Sequence, residues 1–403
     1  MIKGKDIVII GIQPWDIEIG SNCKNIAREF AKENRVLYVN PPMDRITKMK
    51  QKHKAKIQKR IRIAKGLETD LVKIEDNLWN LYPKDGIESI NWISSHRIFK
   101  ILNKRNARIL SKNITSGIER LGFSDVILFN DSSMFLGLHL KDLLQPQMYI
   151  YYMRDYLVKV PYWKKHGEQL EPKLIEQADM VLNNSTLYAE YGAQFNKNSI
   201  MVGQGCDIDM FTDADNSIRI PEVFRSIPSP VIGYVGSLTT LRLDIEILQY
   251  VATQRPDWSI VLVGPEDEAF KMSALHQLSN VHFLGSKDSS TLPAYIKGFD
   301  VCMNPQLVND ITIGNYPRKI DEYLAMGKPV VATSTKAMQM FNQHVYLGHT
   351  KEDYVALIKK ALSEHSAVRS KQRMAFAQMH TWENNVKNIY KAILTLNQKL
   401  AWN

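Results

Sequence analysis

Cysteine is scarce in this chain. Its three residues, Cys23, Cys206 and Cys302 of 403, are too few and too widely spaced for a disulfide framework or a cysteine-rich zinc site. That scarcity fits a reducing, cytoplasmic setting. No uninterrupted apolar stretch approaches the roughly 18–20 residues needed to span a bilayer. The short apolar run at 7–12 is followed by no small-residue cleavage site, so no signal peptide is read. Repeats and low-complexity tracts are missing apart from one basic block. His53, His96, His139 and His166 show no metal-ligand spacing. A content of 44% hydrophobic and 23% charged residues excludes a disordered chain, and the length exceeds one ordinary domain.

Acid is missing from residues 48–65, KMKQKHKAKIQKRIRIAK, which hold nine Lys or Arg and no Asp or Glu. The net charge of +10 is concentrated around this block. Residues 1–110 hold 23 Lys and Arg against 12 Asp and Glu, and the remainder holds 29 against 30. Such a block calls for an anionic partner: a membrane surface, a nucleic acid or a phosphate-bearing substrate. It has no aromatic residue for base stacking, so no nucleic acid is expected. Its modest apolar content predicts a peripheral surface element rather than a buried helix. A mobile insertion without a partner is the alternative.

What is present is a long alternation of strands and helices. Apolar strands are predicted at 6–12, 35–39, 126–130, 148–153, 180–183 and 199–203, with a helix over 23–33 of helical apolar spacing. A polar, turn-rich stretch follows residue 205. A second series then has strands at 231–235, 259–263, 282–284, 301–304 and 329–332, and the chain closes on a helix from Trp382. Short connections between such elements predict doubly wound parallel sheets, with ligands beyond the carboxyl ends of the strands. Residues 1–210, completed by a helix at 380–403, form the expected N-terminal domain, and 211–379 the second.

Several strand ends carry chemistry. YVGSL puts Gly236 and Ser237 at the end of an apolar strand, where backbone N–H groups suit a phosphate, and Arg242 lies in the same connection. Gly264 and Gly285 end two further strands. In NYPRKIDEYLAMGKPVVAT, Lys319 and Glu322 share one helix face, a cation for a diphosphate and a carboxylate for ribose hydroxyls. The alternative is an exposed helix with an Arg318–Glu322 pair. Asp155 follows the strand at 148–153, as a contributor to the site or as a cap on the next loop.

GYVGSL, RLDIEIL, PDWSIVLVGPED, NVHFLGSKDSSTLPAYIKGFDVCMNP and PRKIDEYLAMGKPVVAT together resemble the donor domain of family 4 retaining glycosyltransferases with the GT-B fold. They are most similar to the teichuronic-acid-type and other surface-polysaccharide transferases. NPP at 40–42, MRDYL at 153–157 and QGCDIDMF at 204–211 extend the resemblance weakly over nearly the whole chain. It implies two Rossmann-like domains facing across a cleft, the last helix crossing back to the first.

The implied activity is transfer of a hexose-type sugar, with retention, from a nucleoside-diphosphate sugar to a glycan or lipid-linked acceptor of bacterial surface polysaccharide. No metal and no further cofactor are implied. The acceptor side points to the inner face of the plasma membrane. Asp155, Arg242 and Lys319 are the implied catalytic residues. Gly236, Ser237, Gly264, Gly285, Thr312, Asn315 and Glu322 are implied for the donor, and Gly20, Ser21 and Asn22 for a loop over phosphate and acceptor. Gly314 stands where the family has the first glutamate of its acidic motif, and Ser237 where an arginine is frequent. A degenerate, non-catalytic relative that binds nucleotide sugars, and a basic peripheral membrane or nucleic-acid-binding protein, are the competing readings.

Overall fold

Among the described residues, 2–16, 21–213 and 216–401 of the computed structural model, fourteen strands form two sheets. The first holds β1 (Asp6–Gly11), β2 (Arg35–Val39), β3 (Leu71–Glu75), β4 (Leu78–Leu81), β5 (Ile127–Asp131), β6 (Met148–Met153), β7 (Met180–Asn183) and β8 (Ser199–Met201). Its order is β3-β4-β2-β1-β5-β6-β7-β8, and only the β3–β4 pair is antiparallel. The second sheet is wholly parallel, in the order β11-β10-β9-β12-β13-β14. Its strands are β9 (Val231–Val235), β10 (Ser259–Val263), β11 (Val281–Gly285), β12 (Val301–Asn304), β13 (Val330–Thr333) and β14 (Tyr346–Gly348). Runs such as SIVLV are buried along their whole length, as helices on both faces of a parallel sheet require. Both sheets are doubly wound, and the order reverses beside β1 and beside β9, which places a ligand crevice at the carboxyl ends of those strands.

The chain divides into two units: residues up to Gly203 together with those from Asn385 onward, and Gln204–Asn384. The first division falls ahead of the expected 210/211. Cys206, Ile208 and Phe211 already belong to the apolar core of the second unit, with Val231, Tyr323 and Phe341. The second falls within the helix Trp382–Ala401 rather than at 380, because Trp382 packs on Gly205 of the second unit. From Asn385 the helix belongs to the first unit. There the Asn385 amide donates to the carbonyls of Val202 and Gly203, and Tyr390 stacks on Phe30 at 5.5 Å. The Tyr390 hydroxyl also accepts a hydrogen bond from buried Asn34 at 2.8 Å.

The basic block is folded, not a mobile insertion. It supplies the helices Arg45–Lys50 and Ala55–Ala64, and the Asp44 carboxylate caps the first by accepting the N–H groups of Ile46 and Thr47. Ile57 and Ile63 are buried and anchor the second helix; Lys56 faces outward, Lys59 lies over the Tyr82 ring at 4.7 Å, and Arg60 pairs with Asp16 at 3.4 Å. No helix of the described residues is long and apolar enough to cross a membrane.

Candidate functional site

Two glycines create the floor of a site at the carboxyl ends of β9 and β10. Gly236 and Gly264 have φ of +143° and +153°, conformations that favour glycine. A Cβ on Gly264 would lie 1.9 Å from the Gly236 carbonyl oxygen, so the two turns stack with no room for a side chain. The Gly236 N–H donates to the Val263 carbonyl and the Gly264 N–H to that of Gly285, which links all three glycine turns. Among the described residues no acceptor takes the Ser237 N–H, and the Ser237 side chain is exposed.

Lys319 reaches this floor from the helix Lys319–Ala325. Its ammonium lies 4.1 Å from the centre of the Tyr234 ring, donates to the Tyr234 hydroxyl, and stands 2.7 Å from where a Gly236 Cβ would be. The helix is held over β9 by Tyr323, whose hydroxyl accepts the Val235 N–H at 2.9 Å. It is not an exposed helix: Ile320, Asp321, Tyr323, Leu324 and Ala325 are all buried. Pro317 precedes the helix, the cap position being Arg318.

Glu322 lies one turn along from Lys319. Its carboxylate pairs with Arg318 at 3.4 Å, and only 13% of the side chain is exposed. Burial pushes this carboxyl above the usual range, against the opposing pull of Arg318 and Lys319. Neighbouring Asp321 is wholly buried, accepting from Tyr316 at 2.7 Å and pairing with His380 at 2.7 Å. Burial raises its carboxyl as well.

Two loops flank the floor. Arg242 is exposed in the loop after β9, and its carbonyl accepts the Leu307 N–H from the loop after β12. Asn309 in that second loop donates to the Leu241 carbonyl. Thr312 lies in the same loop. The residue is fully buried, and its hydroxyl is bonded to the Leu307 carbonyl and the Asn309 side chain. Asn315 is half-buried beyond it, with its N–H on the Thr312 carbonyl, and Gly314 is buried.

In the first unit, Asp155 follows β6 and pairs with Arg154 at 3.0 Å. Arg154 also holds the fully buried Asp131 at the end of β5, Nε to Oδ1 at 2.9 Å. The Ser21 side chain is buried, with no partner for its hydroxyl among the described residues, just ahead of the helix Asn22–Ala31 in which Asn22 stands first. Gly20 lies outside the described residues. Near the carboxyl ends of β1 and β2 opens a cavity of about 600 Å³. Phe135, Trp163, Leu110 and Ile90 line it, and Trp92 and Tyr162 stand exposed at its edge. Asn103 and Asn106 also line it, but their amides are bonded to the carbonyls of Phe135 and Glu88.

Sequence reasoning passed over Tyr234, which seats the Lys319 ammonium, and the Asp131–Arg154 pair. Tyr234 had a usable signal, an aromatic two residues before a strand-end glycine. The ion pair had only the two polar strand ends.

Residues 229–364 match the family described as Glycosyl transferases group 1. TuaH of Bacillus subtilis (strain 168), assigned by name to the glycosyltransferases of teichuronic acid biosynthesis, is 27% identical over 241 residues. That match spans 57% of this chain and 60% of TuaH, so the chain covers less than two thirds of that relative. Among solved structures the chain is similar to sucrose-phosphate synthase of Thermosynechococcus elongatus, with TM-score 0.69, 16% identity and coverage of 98% of this chain and 100% of that one. HepE of Anabaena in complex with UDP gives 0.67 at 12% identity, covering 97% and 100%. The α,α-trehalose 6-phosphate synthase of Burkholderia multivorans gives 0.69 at 9% identity, covering 99% and 100%. Residues 229–364 are therefore a glycosyl transferases group 1 domain, set in a chain with the GT-B fold of two Rossmann-like units.

Proposed function

We propose that the protein is a glycosyltransferase of bacterial surface-polysaccharide synthesis. In this reading it moves a hexose-type sugar, with retention, from a nucleoside-diphosphate sugar to a glycan or lipid-linked acceptor. The observation that carries it is the Lys319 ammonium suspended over the stacked Gly236 and Gly264 turns, with Glu322 one helical turn away. Similar chains add support: TuaH by its assignment, and HepE by having been solved with UDP-glucose.

The hard step is departure of a nucleoside diphosphate, whose β-phosphate gathers negative charge. Fixed cations and N–H dipoles aimed there lower the barrier most. Lys319 and the Ser237 N–H take that role, Arg242 adds a second cation from its exposed loop, and no metal is invoked. Glu322, ionised, accepts the ribose hydroxyls. Gly264 and Gly285 shape the floor, and Asn315 with the loop of Thr312 contacts the sugar. Asp155, oriented by Arg154, serves the acceptor side with Ser21 and Asn22. The apolar cavity of the first unit supports an acceptor with an apolar portion, and the outward lysines of 48–65 support work at an anionic membrane surface.

One observation favours a binding-only relative: Gly314 is buried where the resemblance puts a carboxylate. Thermal shift with UDP-, GDP- and dTDP-sugars tests the donor site, since a ligand confined to the folded state raises the melting temperature. Release of nucleoside diphosphate from the stabilising donor then separates transfer from mere binding. No stabilisation by any of the three classes sinks both readings.

A further inference from the structure

Arg373 is 2% exposed, yet no carboxylate among the described residues pairs with it. Its hydrogen bonds to the Gly327 carbonyl and to His365 Nδ1 are long, each at 3.5 Å, and its further partner is the neutral Tyr346 hydroxyl. A guanidinium does not shed its proton in a protein, so burial without a counter-charge is costly. Arg373 lines a polar cavity of about 250 Å³, together with Arg369, Lys360, Tyr346, His344 and Glu364. Arg369 and Arg373 are four apart on the helix Ala367–Ala377, where like charges on one face repel.

Among the described residues Glu364 is the one carboxylate lining this cavity, and it is already engaged. It accepts from Tyr346 at 2.8 Å and pairs with Arg369 at 3.3 Å and Lys360 at 3.9 Å. Three cations therefore face one acid. After burial, the field of Arg373 is the next influence holding the His344 and His365 imidazoles below their ordinary range. The cavity is roomy for an anion several times the size of a water, whose liquid volume is about 30 Å³.

We propose that this cavity is a second anion site, taking inorganic phosphate or a phosphate monoester, with Arg373 as its buried anchor and Arg369 and Lys360 at its mouth. It lies at the other end of the helix Lys319–Ala325 from Lys319, since Arg373 touches Gly327 just past that helix's last turn.

The test uses the full chain carrying Lys319→Ala, which disables the proposed diphosphate contact. Sodium phosphate is titrated at constant ionic strength, with the melting temperature as readout. The expected result is a saturable rise whose half-point moves up on the order of tenfold when Lys360→Gln and Arg369→Gln are added, as for loss of a charge-assisted contact. A tighter half-point for a hexose 6-phosphate than for phosphate identifies a monoester ligand; an equal or weaker one identifies inorganic phosphate. Absence of a saturable rise, or a rise indifferent to the double substitution, overturns the proposal. Arg373→Met adds a check when it folds. A variant deaf to phosphate agrees with the anchor role, and one that responds like its parent contradicts it.

Discussion

Lys319 and Glu322 sit three apart and meet opposite ends of the same ligand in the proposed reading. Lys319→Ala and Glu322→Gln should each weaken nucleoside-diphosphate binding by about 1–3 kcal/mol, the scale of a lost charge-assisted hydrogen bond. Calorimetric titration with UDP and GDP checks this, and parental affinity in both variants defeats the assignment. The neutral glutamine is the better replacement, because Glu322 is mostly buried and truncation would also leave a void. Binding should also weaken on acidification at a pH where an ordinary glutamate is still ionised, because burial raises the Glu322 carboxyl. Glu171 offers a pH signature of its own. It is 1% exposed, accepts from Tyr151 at 2.6 Å, and burial raises its carboxyl from 4.5 to about 7. The folded state thus keeps a proton that the unfolded chain loses. That contribution is fully present below about pH 4.5 and lost as pH rises through about 7, on the order of 3 kcal/mol. Urea unfolding across that window should show the decline, and Glu171→Gln should flatten it.

The helices of the basic block are held by few apolar side chains, with Arg60 on Asp16 and Lys59 on Tyr82 adding polar contacts, so the charge test is read beside a melting temperature that shows the variant still folded. Ile63→Ala removes a fully buried side chain and should cost about 2–4 kcal/mol in chemical denaturation. Replacing Lys54, Lys56, Lys59, Arg60 and Arg62 by Gln should instead abolish salt-sensitive co-sedimentation with anionic vesicles. Parental protein that ignores those vesicles removes the membrane from the proposal. How much of these elements could be read beforehand follows from burial. Strands such as β6 and β10, buried on both faces, show as unbroken apolar runs and were placed to the residue. The β3–β4 hairpin is not legible because LVKIE is half-exposed and mixes charge with apolar residues, and β14 because YLG is half-exposed beside His344 and His349. The bonding of Thr312 was not legible for a different reason: a hydroxyl in a sequence does not reveal that a neighbouring carbonyl already holds it. Arg373 likewise looks like one more surface cation of a polar helix until its burial is known.

At the scale of the molecule, all the proposed donor residues and their supporting core fall between Gln204 and Asn384. A fragment of those residues should melt cooperatively by circular dichroism and bind the same nucleotide as the full chain. Residues 1–203 alone should be unstable, because the helix from Asn385 supplies Tyr390 against Phe30 and Asn34, and Asn385 against Val202 and Gly203. Adding a peptide of residues 385–403 in trans should restore a cooperative transition. A stable fragment 1–203 would show that this helix is dispensable.

That same connectivity dictates an order of events during synthesis. The first unit emerges from the ribosome before its last helix has been translated, with about 180 residues of the second unit still to come. At about 5–20 residues per second, the wait is on the order of ten to forty seconds. Throughout it, Phe30 and the turn at Gly203 lack the side chains that cover them in the finished protein. The second unit, begun later, is the first to have its whole chain available, and the earlier-born unit is the last to close.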